Sequence, residues 1–430
     1  MNKKLSNSKN QFLLDVIKSV VTPTYGCTEI GIVALVSSVA AEHLPHEVVS
    51  ATLYVSTYIY RNDANVGVPN MGQVGIEAIA TAGFLVKHSN KKLAVLEGIT
   101  KPQVTKAIQM AKNGMVKVVV EKYVNPVFVK IIAKDRKGNV CDVAIEGKHD
   151  RIRYVHLNKK LVIDNQLVKN RVVKFKYNVA EISLHDICES VSHMSIKDLE
   201  FLIEGITMND EILKAGIKKT HKQIIAMSDK NTDGWESVVL DDLTASIAAR
   251  MEGCPLPVMA SNDSGDHGLT ISVPQFAYNH VMKTTKLKML QSIGLAHLLC
   301  WKIKKNIGSL SAYCGSIVAA VTSSICGIAY QRGNTEHQIN DLINLCICSF
   351  AGAICDGAKL SCAWKIGASY LSAFGALRIV EKNGKLPHNE GIVSKDAFRT
   401  INDLGMISQT VRDVTNSVIV DVVSKTIRNR

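Results

Sequence analysis

Residues 116–147, VKVVVEKYVNPVFVKIIAKDRKGNVCDVAIEG, have the strongest strand pattern in the first part of the chain. They are rich in Val and Ile, and apolar and polar residues partly alternate, as they do where one face of a strand is buried. Residues 47–60, EVVSATLYVSTYIY, and residues 149–165, HDRIRYVHLNKKLVIDN, continue this pattern. We therefore expect a sheet-bearing region from about residue 48 to about residue 175.

The hydrophobic period becomes helical after about residue 180 and stays helical to residue 425, as in SIKDLEFLIEGI at 195–206. This order predicts an α+β fold, in which a mixed sheet-containing region, residues 1–180, precedes a largely helical region, residues 181–430. We expect two helices within residues 8–45, separated by a turn at 22–26. Residues 253–275 are rich in Pro, Gly, Asn, Asp and Ser and predict a loop between helices.

The chain carries a formal net charge of +13, which suits anionic partners. Its Lys and Arg residues are scattered, with short clusters at 218–222 and 302–305 and no interleaved aromatic residues. A nucleic-acid footprint should be concentrated on one element, so we interpret these clusters as solvated faces and expect no nucleic-acid partner.

Two stretches of low charge, residues 309–330 and 342–364, need to be tested as membrane spans. Small and hydroxyl residues dominate them, and the second contains Asp356 and Lys359, so we expect buried, closely packed helices and no membrane insertion. The first twenty residues lack the compact apolar core of a secretory signal. A cytoplasmic protein with reduced thiols is therefore expected.

Seven of the eleven cysteines lie between residues 300 and 362. Cys355 and Cys362 are two helical turns apart if the helix is unbroken, although Gly357 makes a turn near Cys355 an equal alternative. With Cys314 they are candidates to hold a metal or a cluster. The paired close spacings of structural zinc sites are missing, whereas three thiols suit an iron–sulfur cluster with one open iron. The other interpretation is that these are small buried core residues.

Cys27 follows Gly26 and immediately precedes a predicted helix, with Thr28 as a candidate cap. The positive end of the helix should lower the pKa of the Cys27 thiol, and a thiolate there would be a nucleophile or a base. Glu29 in the first turn has two interpretations, a carboxylate that complements the helix dipole or a catalytic group.

Two polar loops have the composition of ligand sites. In residues 60–75, YRNDANVGVPNMGQVG, Asn62 offers an amide and Arg61 a partner for a carboxylate. In residues 262–270, NDSGDHGLT, Ser264 and Gly265 predict a nest of backbone N–H groups, and His267 is a candidate acid or base. The competing interpretation of both loops is a turn with local side-chain caps.

Five ordered segments together resemble the L-cysteine desulfidase family, which is related to the alpha-chain domain of iron–sulfur L-serine dehydratases. The resemblance spans about residues 10 to 425, and the segments are PTYGCTE at 23–29, YRNDANVGVPNMG at 60–72, GCPLPVMASNDSGDHGLT at 253–270, AYCGSIVAA at 312–320 and ICDGAKLSCAWK at 354–365. It implies a 4Fe-4S cluster held by Cys314, Cys355 and Cys362, with Cys27 as the base.

The resemblance implies a carbon–sulfur lyase that removes sulfide from L-cysteine by α,β-elimination and yields pyruvate and ammonia. An L-serine dehydratase-type deaminase on the same scaffold is the alternative, and a non-catalytic protein that senses iron or an amino acid is another. Arg61, Asn62, Ser264, Gly265 and His267 are the expected substrate-binding residues. The expected partner is a small amino acid, and a homo-oligomer is left open.

The chain departs from the family pattern at three places. Ser316 stands where the family commonly has a second cysteine after Cys314 and Gly315, and Tyr25 replaces a smaller aliphatic residue. The family's S-G-N-Q-G loop has Asp266 and His267 at its third and fourth positions. These changes bear on the identity of the substrate more than on cluster binding.

Overall fold

The structure is a computed structural model that describes residues 2–64, 66–165, 177, 179–219, 234–308 and 310–428. It is 61% helical and 15% strand, with a sheet in the N-terminal part and helices in the C-terminal part. The predicted α+β class is therefore confirmed. The division of the chain at residue 180 into two units stays a prediction.

The helices of the N-terminal part are α1 (Asn2–Val20), α2 (Thr28–His43), α3 (Thr57–Asp63), α4 (Ile76–Val86) and α5 (Lys101–Lys112). The C-terminal part contains α6 (Leu184–His193), α7 (Ile196–Leu199), α8 (Leu202–Lys219), α9 (Trp235–Met251), α10 (Gly265–Met282), α11 (Lys286–Ile307), α12 (Thr322–Gln331), α13 (Glu336–Phe350), α14 (Ser361–Glu381) and α15 (Ala397–Arg428). Short 3-10 helices cover Ser89–Ala94 and Val179–Glu181, and a π-helical turn covers Ser316–Val321.

The described strands are β1 (Val21–Tyr25), β2 (Val48–Ser56), β3 (Gly67–Val68), β4 (Gly72–Gln73), β5 (Val116–Glu121), β6 (Phe128–Asp135), β7 (Val140–Glu146), β8 (Ile152–Leu157), β9 (Lys160–Asp164) and β10 (Pro257–Ser261). Six of them form one sheet in the order β5-β2-β6-β7-β8-β9. The β2–β5 pair is parallel and the other pairs in this sheet are antiparallel. The predicted strands of residues 116–147 and 149–165 are thus confirmed, and so is the strand over Val48–Ser56, whereas residues 57–60 of that stretch begin helix α3 after the Ser56 cap.

Helix α2 is the centre of the N-terminal core. Every residue from Glu29 to Ala41 is buried, because α2 packs on strands β6 and β7 and against α4. Gly83 of α4 makes the close approach of α4 to α2 possible, since a Cβ at this position would lie 2.4 Å from the carbonyl oxygen of Ala34. Helix α2, whose N-cap is Cys27, is therefore packed between the sheet and α4.

The expected turn at 22–26 and the expected loop at 253–275 are largely wrong. Strand β1 pairs antiparallel with strand β10, with Val21 opposite Ser261 and Tyr25 opposite Pro257. Helix α10 then begins at Gly265, within the predicted loop. The reason is long-range pairing, which carries the chain just before Cys27 alongside the chain just before Ser264.

The two stretches tested as membrane spans differ from each other. Residues 316–331 form a buried π-helical turn and helix α12, as expected. In the second stretch α13 ends at Phe350 and α14 begins only at Ser361. In the part of the chain that the structure describes, none of the helices has both the length and the apolar character needed to cross a membrane.

Candidate active site

A cavity of about 850 Å³ lies between the N-terminal elements and the helical part of the chain. Its walls contain eight of the nine residues that the sequence assigns to the site: Cys27, Arg61, Asn62, Ser264, His267, Cys314, Cys355 and Cys362. Gly265, the ninth, is not part of the wall. Segments that are far apart in sequence are thus brought together around a single space.

Cys314 and Cys355 each directly follow one partner of a short antiparallel bridge between Tyr313 and Ile354. The N–H of Cys314 donates to the carbonyl oxygen of Ala353 at 2.7 Å, and the N–H of Cys355 donates to that of Ala312 at 2.8 Å. The neighbouring Cys314 thiol lowers the pKa of the Cys355 thiol well below its usual range. Burial of Cys355 acts against this lowering, and the nearby Arg61 guanidinium adds to it.

Cys362 reaches the same cavity from the first turn of α14. The chain turns at Gly357, whose φ is +98° and where a Cβ would lie 2.1 Å from the carbonyl oxygen of Arg61. The alternative of one unbroken helix through Cys355 and Cys362 is therefore wrong, and the turn at Gly357 is what the chain adopts. Cys362 Sγ donates to the carbonyl oxygen of Gly357 at 3.7 Å.

All eleven cysteines have free thiols, and their burial separates them into groups. Cys314, Cys355 and Cys362 are half-buried on the cavity wall, whereas Cys300, Cys326 and Cys346 are buried and Cys348 is exposed. Within the described residues, no three His, Cys, Asp or Glu side chains are grouped closely enough to hold a single metal ion.

The interpretation of the 302–305 cluster as a solvated face is wrong, because two of its lysines are buried. Lys302 and Lys304 are only 4% and 6% exposed. Lys302 Nζ donates to the carbonyl oxygens of Val179 and Ile182, at 2.6 Å and 2.9 Å. The charges of these lysines are thus inside the protein, on a helix that packs on both sides.

Lys304 lines the cavity, and sequence reasoning missed it. A Cβ at Gly315 would lie 3.2 Å from Lys304 Nζ and 2.8 Å from His267 Nε2, so the absence of a side chain at Gly315 admits both groups beside Cys314. Burial lowers the pKa of Lys304, against the opposing charges of Cys300, Cys355 and Cys314.

Cys27 caps helix α2, which begins at Thr28, so Thr28 is not the cap. The Cys27 side chain makes no capping bond to the helix, and its Sγ donates to Glu29 Oε2 at 2.9 Å. Burial, and then the charges of Glu29 and Asp63, raise the pKa of the Cys27 thiol well above its usual range. The expected lowering of this pKa by the helix dipole is therefore wrong, because nearer carboxylates and burial outweigh it.

Arg61 and Asn62 are both engaged within the protein. Arg61 is 2% exposed, and its Nη1 donates to Asn416 Oδ1 at 2.7 Å, while its guanidinium lies over the ring of Tyr58. Asn62 Nδ2 donates to Glu29 Oε1 at 2.9 Å. Among the described residues, Arg61 is held by an amide and a ring and not by a protein carboxylate, so its pairing with a substrate carboxylate stays a prediction.

The loop that begins α10 contains a buried ion pair that the sequence analysis missed. Arg250 Nε donates to Asp266 Oδ1 at 2.8 Å, with side-chain exposures of 8% and 14%. Gly265 makes this possible, since a Cβ there would lie 2.3 Å from the Arg250 guanidinium carbon. Burial raises the pKa of Asp266, while Arg250 acts in the opposite direction. The negative charge of Asp266 is thus balanced by a cation from helix α9.

His267 is neutral at physiological pH. Burial, followed by the charge of Lys304, lowers the pKa of His267 to about 3. A neutral imidazole can accept one hydrogen bond and donate another to a polar ligand. The arrangement therefore suits hydrogen bonding in the cavity better than proton transfer by a cationic His267.

Comparison with known proteins places these features in a family context. Residues 90–421 match the family model described as serine dehydratase alpha chain. The chain is 31% identical over 423 residues to a UPF0597 protein of Clostridioides difficile, covering 96% of this chain and 99% of that protein. It is 32% identical over 420 residues to a UPF0597 protein of Clostridium tetani, covering 96% and 98%. A third relative, from Caldanaerobacter subterraneus, is 31% identical over 415 residues.

Proposed function

The chain belongs to the serine dehydratase alpha chain family, and from this membership we propose that it is a 4Fe-4S-dependent lyase that eliminates sulfide from L-cysteine to give pyruvate and ammonia. The observation that carries the proposal is the meeting of Cys27 with Cys314, Cys355 and Cys362 on one cavity wall. L-serine is the second candidate substrate, favoured by the name of the matching family model.

The donor set fits a sulfur-ligated iron cluster. Three half-buried free thiols face one cavity from two segments, and the cations of Arg61 and Lys304 lie beside them to offset the negative charge of thiolates. The ligands of a four-iron cluster stand farther apart than those of one metal ion, so the absence of a compact single-ion site among the described residues does not conflict with it. Cys314, Cys355 and Cys362 would hold the cluster.

When bound, the cluster would supply a Lewis acid at an iron without a protein ligand, which makes the β substituent of the substrate a better leaving group. The chain's own residues bind and orient the substrate and move its α proton. Cys27 Sγ is placed at the start of α2 to exchange that proton. Ser264 and neutral His267 offer hydrogen bonds on the cavity wall, and buried Arg61 provides a fixed positive charge.

Two of the substrate-binding residues expected from sequence take different roles in this proposal. Asn62 is bonded to Glu29, so it positions a carboxylate instead of contacting substrate. Gly265 acts by admitting the Arg250 guanidinium next to the start of α10. Formation of a homo-oligomer stays a prediction.

An anaerobic activity panel tests the proposed function. The protein is purified and reconstituted with iron and sulfide without oxygen, then supplied with L-cysteine, L-serine or L-threonine while pyruvate, ammonia and sulfide are measured. Release of pyruvate and sulfide from cysteine supports the desulfidase, and release of pyruvate from serine alone supports the deaminase. A brown protein without turnover indicates a sensor, and a colourless one contradicts the cluster.

A further inference from the structure

Glu29 holds the thiol of Cys27 in a fixed orientation. Cys27 Sγ donates to Glu29 Oε2 at 2.9 Å, and Asn62 Nδ2 donates to the other carboxylate oxygen, Oε1, also at 2.9 Å. Glu29 is 7% exposed, in the first turn of a helix that is buried along its length. One oxygen of this carboxylate is thus fixed by an amide, and the other is directed at the thiol.

The surroundings of Glu29 keep its charge. Burial acts to raise its pKa, but the nearby His149 imidazole and the hydrogen bonds from Cys27 and Asn62 outweigh burial and lower it. His149 belongs to the loop between β7 and β8 and lines the same cavity. Glu29 is therefore a carboxylate that can accept a proton.

The pKa values of two neighbouring acids, Asp63 and Asp266, are raised, whereas that of Glu29 is lowered. Asp63 of α3 is wholly buried, and burial followed by the charge of Glu29 raises its pKa well above the usual range. Asp266 of α10 also faces Glu29, but its carboxylate is paired with Arg250 of α9. The charge of Arg250 also acts on Cys27. Two adjacent carboxyl groups whose environments separate their protonation states are typical of acid–base sites.

A protonated thiol such as that of Cys27 cannot take a proton from a substrate unless it gives up its own. The arrangement provides an acceptor for that proton at hydrogen-bonding distance, in the Oε2 atom of Glu29. We propose that Cys27 and Glu29 form a proton-transfer pair, in which Glu29 is the final acceptor of the proton that leaves the α carbon. This inference rests on the proposed function.

The substrate's α proton moves to Cys27 Sγ while the proton of Sγ moves to Glu29 Oε2. The electron pair of the C–H bond forms the new double bond, and the C–S bond breaks with its pair on sulfur, which leaves as hydrogen sulfide ion. Glu29 then returns its proton to the solvent of the cavity, and the aminoacrylate hydrolyses to pyruvate and ammonia.

Glu29→Gln separates this proposal from a Cys27 thiolate that acts alone. The variant keeps the size of the side chain but cannot accept a proton, so we expect kcat to fall by about 10²- to 10⁴-fold. In the same protein, loss of the negative charge should make the thiol more acidic, so alkylation of Cys27 should begin at lower pH. A slower enzyme with a more reactive thiol is the signature of the pair.

Alkylation by iodoacetamide is followed across pH by mass spectrometry of the Cys27 peptide, with circular dichroism to verify folding. Glu29→Asp, which shortens but retains the carboxylate, should recover part of kcat and provides a second variant if Glu29→Gln fails to fold. Glu47→Gln is the matched control, because Glu47 is exposed and does not line the cavity. It should change neither measurement.

Unchanged or faster turnover in folded Glu29→Gln would overturn the proposal, as would alkylation that begins at higher pH. The failure of the proposed function has a different signature, since wild type would then release no pyruvate from any substrate. If wild type is inactive, the pH dependence of Cys27 alkylation still tests the pair. A shift of alkylation to lower pH in Glu29→Gln supports the pair, and the absence of a shift overturns the pair.

Discussion

Arg61 Nη1 donates a hydrogen bond of 2.7 Å to Asn416 Oδ1, so the C-terminal helix α15 fixes the guanidinium that lies beside Cys355. Both side chains are buried, with exposures of 2% and 0%. Asn416 also donates to Thr57 Oγ1, at the start of α3. One amide therefore connects the last helix of the chain with a cation of the cavity.

Replacement of Asn416 by Ala should destabilise the protein and loosen Arg61. A hydrogen bond to a buried charged group contributes about 1.5 to 3 kcal/mol, so we expect a loss of about 2 kcal/mol in the free energy of unfolding. Urea unfolding measures this loss. The control is Asn402→Ala, an exposed position on the same helix, and equal stability of the two variants would contradict the role of Asn416.

Substitution of the cavity thiols by Ser should divide them into two classes. Cys314→Ser, Cys355→Ser and Cys362→Ser should each lower the iron content after anaerobic reconstitution by more than about tenfold, since each removes a ligand. Cys27→Ser should retain iron and absorbance but lose turnover. Exposed Cys348 provides the control variant, and loss of iron from Cys27→Ser would show that Cys27 is a ligand.

His297 should make stability depend on pH in a definite direction. It is 3% exposed, and burial lowers its pKa to about 3 from an ordinary value of 6.5. Between these two pH values His297 binds a proton in the unfolded chain but not in the folded chain. The contribution of His297 to the free energy of unfolding is therefore complete above pH 6.5 and is lost as the pH falls. The loss is about 1.4 kcal/mol from about pH 7.5 to about pH 5.5.

The difference is measured by unfolding wild type and His297→Gln at both pH values. The variant should lose less stability on acidification than wild type, by about that amount. His280→Gln, at an exposed position near the end of α10, should behave as wild type. The same slope in all three proteins would exclude a buried neutral His297.

Substitution of two helical glycines by Ala should change the stability of the protein in opposite directions. Gly83→Ala places a methyl group 2.4 Å from the carbonyl oxygen of Ala34, and overpacking of this kind costs about 1 to 3 kcal/mol. Gly375 lies inside α14 with no atom within 4 Å of its Cβ position, so Gly375→Ala should stabilise by about 0.5 to 1 kcal/mol. Thermal unfolding distinguishes the two, and a shift of the same sign would contradict the packing of α2 on α4.

The sequence predicts those features that depend on local pattern. Strand β6 alternates between buried and more exposed residues, β7 does so over its first four residues, and α2 is a continuous apolar run, so their types follow from neighbours in sequence. The strand conformation of β1 does not follow from its neighbours in sequence, because VTPTY becomes a strand only by pairing with residues 257–261. A short polar segment cannot be assigned without its distant partner.

The pKa values and buried charges of the candidate site were the features that the sequence predicted least well. The helix dipole at Cys27 is a local feature and was anticipated, but the carboxyl group of Asp63 and the depth of burial come from tertiary packing. Lys304 shows the same limit, since a lysine in a basic cluster resembles a solvated residue until the fold buries it. Motif resemblance located the thiols of the cavity and the composition of a polar loop indicated Arg61, whereas only the structure identified Lys304 beside them.

The pairing of β1 with β10 also has a consequence for how the protein is made. During synthesis Cys27 emerges long before Ser261 and Ser264, and the thiols of Cys314, Cys355 and Cys362 emerge later still. Long-range pairing of this kind forms late in folding, after the local elements. The cavity cannot close around any cofactor until most of the chain has left the ribosome, so cofactor loading is expected to follow translation.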